Sequence, residues 1–360
     1  MFRELRISTA FLVLGCSSSV ELSAPPRLTA SSDPTVLAVV NERVSAIAVD
    51  EQRIYWLGSV DGYEGYRGGT LHSCEKQNCV GSLVTYSAGD SNLGSRFGLV
   101  GGQIYWLEGS APGANVIAKL HACDVSGCGN GARTVASNIV QPNALAFDSE
   151  HAYVSVVPES VLRFPLSGND AQPDTVLATS GGFASLEVAG GYLYWLGWPS
   201  GAGRAAVLRS RTDGTGNVET VAENLSVYQG AFSSLQNTLA VDATYAYWSD
   251  GLLSGSVARC PVTGCTGGPE PVVGPIRLPT TLLLDGPTLY WQQGTETSGT
   301  VVSSCTVATC TPSEPLARGV DGYNALAVDD EYIYTATADQ KIDPNVDWFN
   351  PSANIRRVHK

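Results

Sequence analysis

The sequence predicts an all-β protein built as a seven-bladed β-propeller, a closed ring of four-stranded blades. Three observations carry that prediction. One short pattern returns seven times, its copies are spaced by about one blade, and the two chain ends each hold a fragment of the same blade. Composition agrees: only 15% of the 360 residues are charged, while 43% are hydrophobic and 39 are glycine. Such a chain builds short apolar strands joined by tight turns rather than solvated helices.

The pattern appears first as "AIAVDEQRIYWLG" at 46–58. It returns as "FGLVGGQIYWLEG" at 97–109, "NALAFDSEHAYVS" at 143–155 and "SLEVAGGYLYWLG" at 185–197. Three more copies follow: "NTLAVDATYAYWS" at 237–249, "TTLLLDGPTLYWQ" at 280–292 and "NALAVDDEYIYTA" at 324–336. Their key tyrosines, Tyr55, Tyr105, Tyr153, Tyr194, Tyr247, Tyr290 and Tyr334, lie 41 to 53 residues apart. A propeller blade has about that length.

Each copy reads as strand, turn, strand. Five turns open with an aspartate five residues before the tyrosine: Asp50, Asp148, Asp242, Asp285 and Asp329. Aspartate bonds its own backbone two residues on, which favours a turn. The second and fourth copies carry Gly101 with Gly102 and Gly190 with Gly191 instead, and glycine tolerates the positive φ of such turns. The aspartates are therefore read as turn formers, not as shared catalytic or metal-binding groups.

A third strand follows in "GTLHSC", "AKLHAC", "SVLRFP", "AVLRSR", "GSVARC" and "GTVVSSC". A fourth follows in "GSLVTYS", "ARTVAS", "DTVLAT", "VETVAE", "PEPVVG" and "SEPLAR". The seventh copy stops at "ANIRRVHK", a third strand without a fourth. The missing strand is expected at the other chain end, where "DPTVLAVV" at 33–40 matches "PDTVLATS" at 173–180. The last blade is then closed by the N-terminal strand, and the ring has no loose end.

Nine cysteines fall into one lone residue, Cys16, and four pairs at one spacing. The pairs are Cys74 with Cys79, Cys123 with Cys128, Cys260 with Cys265 and Cys305 with Cys310. All flank the turn between third and fourth strands. Neighbouring antiparallel strands bring Cα atoms to about 4.5–5.5 Å, a range that a disulfide accepts. Metal sites ask for converging ligands, and redox pairs for Cys-x-x-Cys; neither is present. Blades without cysteines put Phe164 and Asn169, or Ser210 and Thr215, in the same two slots. The pairs are read as structural disulfides.

The N-terminal stretch reads as an address. Arg3 and Arg6 precede an apolar run from Ile7 to Leu14, too short to span a bilayer but suited to a signal peptide. Val13-Leu14-Gly15-Cys16 resembles a bacterial lipobox, which implies a signal peptide over 1–15 and lipidation of Cys16. Residues 16–32, rich in Ser, Ala and Pro, suit a flexible tether, and 33–360 form the propeller. The expected location is the bacterial cell envelope outside the cytoplasm, with a lipid anchor on the outer membrane or cell surface.

Tyr247-Trp248-Ser249-Asp250 comes nearest to a Tyr-Trp-Thr-Asp motif, and four other copies keep Tyr-Trp. Over 33–360 the chain resembles the broad NHL and YWTD-like group of propellers. The resemblance implies the fold; propellers serve as binding proteins, scaffolds and enzymes alike.

Chemistry is harder to find. His72 and His121 share one repeat slot, two residues before a cysteine, and read as strand packing. No histidine pair has metal-ligand spacing, and no Gly-x-Ser-x-Gly or phosphate-cradling loop is present. No catalytic residue, metal or cofactor is assigned. A net charge of −13 without a basic cluster excludes nucleic acid as a partner.

The long loops are more informative, since they share the face where second strands pass to third strands and one blade to the next. Blade one carries Tyr63 and Tyr66, and its ring neighbour, blade seven, carries Trp348 and Phe349. Asp61, Glu64, Asp343 and Asp347 lie nearby in sequence. Trp198 and Tyr228 stand in the long loops of blade four. Exposed aromatics beside acids suit an envelope protein or glycan as partner for a monomeric, non-catalytic propeller. Two other readings stay open: a lyase or hydrolase acting at the central channel, and a structural scaffold.

Overall fold

The computed structural model describes residues 35–59, 69–88, 92–109, 116–157, 160–178, 183–199, 204–226, 238–250, 255–277, 279, 281–294, 300–310, 315–318, 325–338 and 353–360. Its strands form seven antiparallel four-stranded sheets, each hydrogen-bonded within itself. Blade 1 contains β2 (Arg43–Val49), β3 (Arg53–Ser59), β4 (Gly69–Glu75) and β5 (Val84–Ala88). Blades 2 and 3 run from β6 (Asn92–Val100) to β9 (Arg133–Val140) and from β10 (Pro142–Phe147) to β13 (Asp174–Ala178). Blades 4 and 5 run from β14 (Phe183–Ala189) to β17 (Glu219–Leu225) and from β18 (Leu239–Val241) to β21 (Glu270–Ile276). Blade 6 contains β22 (Thr281–Asp285), β23 (Thr288–Gly294), β24 (Thr300–Thr306) and β25 (Ala317–Arg318).

Blade 7 joins the chain ends. Its order is β26 (Leu326–Val328), β27 (Tyr332–Ala338), β28 (Ala353–His359) and then β1 (Val36–Val40). Val36 faces Arg356, Ala38 faces Ile355, Val39 faces Asn354 and Val40 faces Ala353. The N-terminal strand thus closes the ring as expected.

The Tyr-Trp pair works because successive side chains on a strand point to opposite faces. Tyr55 packs toward blade 2 with Trp106 and Ile104, while Trp56 packs toward blade 7 with Ala336 and Ile355. One dipeptide therefore fills the seams on both sides of its blade. All seven key tyrosines are buried.

The turn aspartates do more than cap a turn. Asp50 Oδ1 accepts bonds from the backbone N–H groups of Gln52 and Arg53, at 2.8 and 2.7 Å, and its Oδ2 accepts the Tyr55 hydroxyl at 2.5 Å. Asp148, Asp242 and Asp329 repeat this arrangement with Tyr153, Tyr247 and Tyr334. Burial and the adjacent carboxylate push the Tyr247 hydroxyl up to about 12, so the tyrosines act as fixed donors. In the second and fourth copies the glycine pairs adopt φ of +58° and +75°, and +56° and +77°, the conformation that required glycine there.

One backbone bond recurs in every blade. The residue three beyond the key tyrosine's third-strand partner donates its N–H to the carbonyl just before the second strand. These bonds join Lys76 to Gln52, Val125 to Gly102, Leu166 to Glu150, Thr212 to Gly191, Val262 to Thr244, Val307 to Pro287 and Lys360 to Glu331. The lengths are 2.8 to 3.1 Å.

In two blades this slot holds a lysine, and both lysines flank the closing blade. Lys76 of blade 1 reaches Asp329 of blade 7 at 2.6 Å and lies 5.1 Å from the Tyr334 ring centre. Lys360 of blade 7 reaches Asp285 of blade 6 at 2.6 Å, over the Tyr290 ring. Arginines tie other seams: Arg163 donates to the Thr212 carbonyl of blade 4, and Arg259 to the Val307 carbonyl of blade 6.

Burial raises the Asp329 carboxyl, but bonds from Lys76, Tyr334 and two backbone N–H groups outweigh it and hold the group well below the usual carboxylate range. A depressed folded pKa gives stability that is present above the unfolded value of 3.8 and is lost as pH falls below it. Asp329→Asn is expected to lower unfolding free energy at pH 7 by about 1–2 kcal/mol, a charged bond discounted for partial exposure. Urea titrations at neutral and acidic pH check this, and the difference from the unmodified chain should shrink in acid.

Candidate functional site

The expected aromatic loop face lies largely outside the described residues, which omit Tyr63, Tyr66, Tyr228, Trp348 and Phe349, together with Asp61, Glu64, Asp343, Asp347 and the lipidation candidate Cys16. Trp198 is described. It follows β15 (Tyr192–Gly197), is 9% exposed and packs in one cluster with Leu196, Val207 and Leu225.

All four cysteine pairs are bonded, with Cα separations of 4.7, 4.9, 5.4 and 5.0 Å. Each second cysteine lies in the connection before the fourth strand rather than on that strand, as Cys79 does ahead of Val84. Strand register confirms the shared slot. Cys74 faces Ile54, and the cysteine-free blades place Phe164 opposite Ala152 and Ser210 opposite Leu193.

A cavity of about 540 Å³ lies between the innermost strands of blades 1 to 4. Its walls include Ala48, Gly98, Leu99, Phe147 and Val188, with Asp148, Ser149 and Glu187 as the polar members. Gly98 is small for a reason: a Cβ there would overlap the Phe147 ring of the next blade. Asp148 is engaged by its own turn and by Tyr153. Among the described residues no group of three or more His, Cys, Asp or Glu side chains converges to hold a metal ion.

The most unusual polar cluster is buried in the seam between blades 1 and 7. Glu42, 1% exposed, comes from the link joining β1 to β2. Its Oε1 accepts the Trp56 indole N–H at 2.6 Å and its Oε2 accepts the Thr70 hydroxyl at 2.5 Å. A Cβ on Gly58 would overlap this carboxyl, so glycine makes the room. In blade 2 the residue two beyond the tryptophan, Glu108, accepts the Trp106 N–H, and in blade 6 Gln293 accepts that of Trp291. Blade 1 has Gly58 at that position, and Glu42 supplies the acceptor from elsewhere in the chain.

His72 completes the cluster, fully buried, with its Nε2 3.8 Å from Glu42 and its Nδ1 2.9 Å from the Thr85 hydroxyl. Its ring lies tilted against Trp56 with centroids 5.5 Å apart, and His121 does the same with Trp106 at 5.6 Å. Both histidines therefore pack inside their blades, as expected. Burial lowers His72 to about 4, so the ring is neutral at physiological pH. Burial also raises Glu42, against the bonds from Thr70 and Trp56 that favour its ionised form. The sequence signal for Glu42 was a charged residue set between two apolar strands.

One surface feature was not anticipated. Ile117, Val140 and Val157 are 49%, 49% and 53% exposed. Ile117 faces Val140 across β8 (Ile117–Asp124) and β9, and the Val157 N–H bonds the Gln141 carbonyl. They form an apolar patch where blades 2 and 3 meet, at the strand ends from which the long connections leave.

No family model matches the sequence, and no curated protein matches it. Solved structures do. A chain of a mitotic checkpoint complex structure is similar at TM-score 0.59 and 12% identity, over 99% of this chain and 100% of that one. The propeller domain of the Trilobed protease from Pyrococcus furiosus, described as having an open velcro topology, is similar at 0.54 and 8% identity, over 82% and 91%. A prolyl endopeptidase structure gives 0.56 at 12% identity, over 91% of this chain and 51% of that one. This chain thus spans about half the length of that peptidase. The likeness is one of fold.

Two substitutions test the buried cluster. Gly58→Ala is expected to cost about 1–3 kcal/mol by overpacking against Glu42, measured by chemical unfolding. A raised folded pKa means that the Glu42 contribution is present below the unfolded value of 4.5 and is lost as pH rises. Glu42→Gln keeps the shape and one acceptor, for the Trp56 N–H, turns its amide N–H toward the Thr70 hydroxyl, which can accept, and cannot ionise. It is expected to be more stable than the unmodified chain at pH 7, with the advantage vanishing below pH 4.5.

Proposed function

We propose that this chain is a non-catalytic, envelope-tethered propeller of the NHL and YWTD-like kind that binds a protein or glycan through its long-loop face. The observation that carries this reading is the apolar patch of Ile117, Val140 and Val157 on that face. Exposed apolar side chains that adjoin one another are a common mark of an interaction surface. The opposite face is closed by turns of two or three residues, disulfide-bonded hairpin connections and the lysine and arginine ties.

The tether belongs to the same reading. The lipobox-like segment and Cys16 would fix the ring to the envelope, and an oxidising compartment suits four disulfides. A second reading, a propeller hydrolase or lyase working at the central channel, draws support from the Asp148, Ser149 and Glu187 wall and from the likeness to the prolyl endopeptidase propeller. A structural scaffold is the third.

A screen of envelope proteins and glycans against the purified chain separates these readings. Val140→Glu combined with Val157→Glu is expected to weaken the captured partner at least about tenfold, while changing stability by no more than about 0.5 kcal/mol. Binding that ignores both substitutions, or turnover of a peptide or polysaccharide that Glu187→Gln abolishes, would favour the channel instead. Fatty-acid labelling in the native host, lost in Cys16→Ser, tests the anchor.

A further inference from the structure

The seam beside the closing strand buries two titratable side chains against each other. Glu42 stands between Val40 and Val44, which both pack into the core shared by blades 7 and 1. Its two oxygens accept from Trp56 and Thr70. His72 is fully buried next to it, and its Nε2 has no hydrogen-bond partner among the described residues although it lies 3.8 Å from Glu42 Oε1. A buried ring nitrogen left unpaired beside a buried carboxyl calls for an explanation.

Among the described side chains, nothing near the pair supplies a positive charge. Blade 1 brings Trp56, Thr70 and Thr85 to it, and blade 7 contributes Ala336, Ala353 and Ile355 to the core around Trp56. The charged and titratable groups of the same elements are engaged elsewhere. Arg53 bonds Ser73 and the Ser82 carbonyl and pairs with Glu75, while Lys76 and Tyr334 both reach Asp329. Arg357 lies over the Tyr332 ring, and Tyr55 and Tyr86 pack toward blade 2. Arg356 follows Ile355 on β28, so it projects from the opposite side of blade 7. An ionised Glu42 is then a lone buried negative charge, a costly state for any carboxylate.

The imidazole offers a way out. His72 Nδ1 lies 2.9 Å from the Thr85 hydroxyl, which accepts when Nδ1 carries the ring proton. Nε2 is then a bare acceptor beside the carboxyl. A proton on Glu42 Oε1 gives it a donor, and that oxygen keeps lone pairs for the Trp56 N–H. An approach of about 1 Å brings Oε1 and Nε2 to ordinary hydrogen-bond length.

We propose that the closing seam is a proton-operated latch, in which Glu42 takes one proton from solvent as the ring closes and donates it in a hydrogen bond to His72 Nε2. The pair is then neutral, its polar atoms are all bonded, and the link between the closing strand and blade 1 is fixed. Loss of the proton restores the lone charge and the orphan nitrogen together, so the seam loosens as pH rises. The latch is independent of the long-loop patch.

Its pH dependence has two parts. Burial raises Glu42, which gives stability present below 4.5 and lost as pH rises. Burial lowers His72, which gives stability present above 6.5 and lost as pH falls. Between 4.5 and 6.5 the unfolded chain carries one proton on His72 and the closed seam carries one on Glu42, so the two parts cancel. Above 6.5 only the closed seam holds it, and the folding constant falls about tenfold per pH unit.

Nitrogen NMR of the isotope-labelled full chain reads the tautomer directly. His72 is assigned through His72→Leu, the residue that Leu162 and Leu208 supply in the same slot. At pH 7 its ring should be neutral and protonated on Nδ1. A ring protonated on Nε2, alone or together with Nδ1, puts the proton elsewhere and overturns the proposal. Urea unfolding across acid, neutral and alkaline pH supplies the second readout. Relative to Glu42→Gln, the folding constant of the unmodified chain should fall about tenfold per pH unit above 4.5 and then level off. In a His72→Leu background the same comparison should level off at least about one pH unit lower, because the acid proton has lost its acceptor. An unchanged levelling point means that burial alone raises Glu42, and the latch is then wrong.

Discussion

A ring of blades is stable only if its two ends meet, and here they meet in the pairing of Val36–Val40 with Ala353–His359. Every other seam joins blades that are consecutive along the chain. The closing blade instead draws three strands from one end and one from the other. Its loss would expose the unpaired edge of β28 and open the apolar faces on either side. The remaining features of the fold make sense around that requirement.

Charged side chains reach across both seams of this blade. Glu42 leaves β1 and enters the seam against blade 1, where Trp56 and Thr70 hold it. Lys76 grips Asp329 from blade 1, and Lys360 grips Asp285 of blade 6. In the same repeat slot, blades 2, 3, 5 and 6 carry Val125, Leu166, Val262 and Val307. Partly buried charge-assisted bonds are directional in a way that aliphatic contacts are not, and they fix how the last blade docks. The hairpin disulfides act at a different level, since each closes a loop of five residues in sequence separation and stays within its blade.

Much of this was legible in the sequence because the repeat turns position into meaning. The tyrosine spacing counts the blades, and the match between 33–40 and 173–180 places the closing strand. The slots held by Phe164 and Ser210 identify the cysteine pairs as structural. Glu42 was not legible, because its partners lie 14 and 28 residues away and depend on which face Gly58 leaves open. Lys76 and Asp329 are 253 residues apart and meet only through ring closure. Ile117, Val140 and Val157 look like ordinary strand residues until the strand ends are placed at a surface. Tyr63, Tyr66, Tyr228, Trp348 and Phe349 fall outside the described residues and Trp198 packs into its blade, so the binding reading rests on Ile117, Val140 and Val157.

Native-state hydrogen exchange on the backbone amides of β1 and β28 tests the central claim most directly. If their pairing holds the ring together, these amides open only with the whole domain. Their protection should then match that of the inner strands of blades 1 and 6 and fall with urea at the global slope. Exchange of β1 and β28 through a low-energy local opening, while the other six blades stay protected, would contradict it.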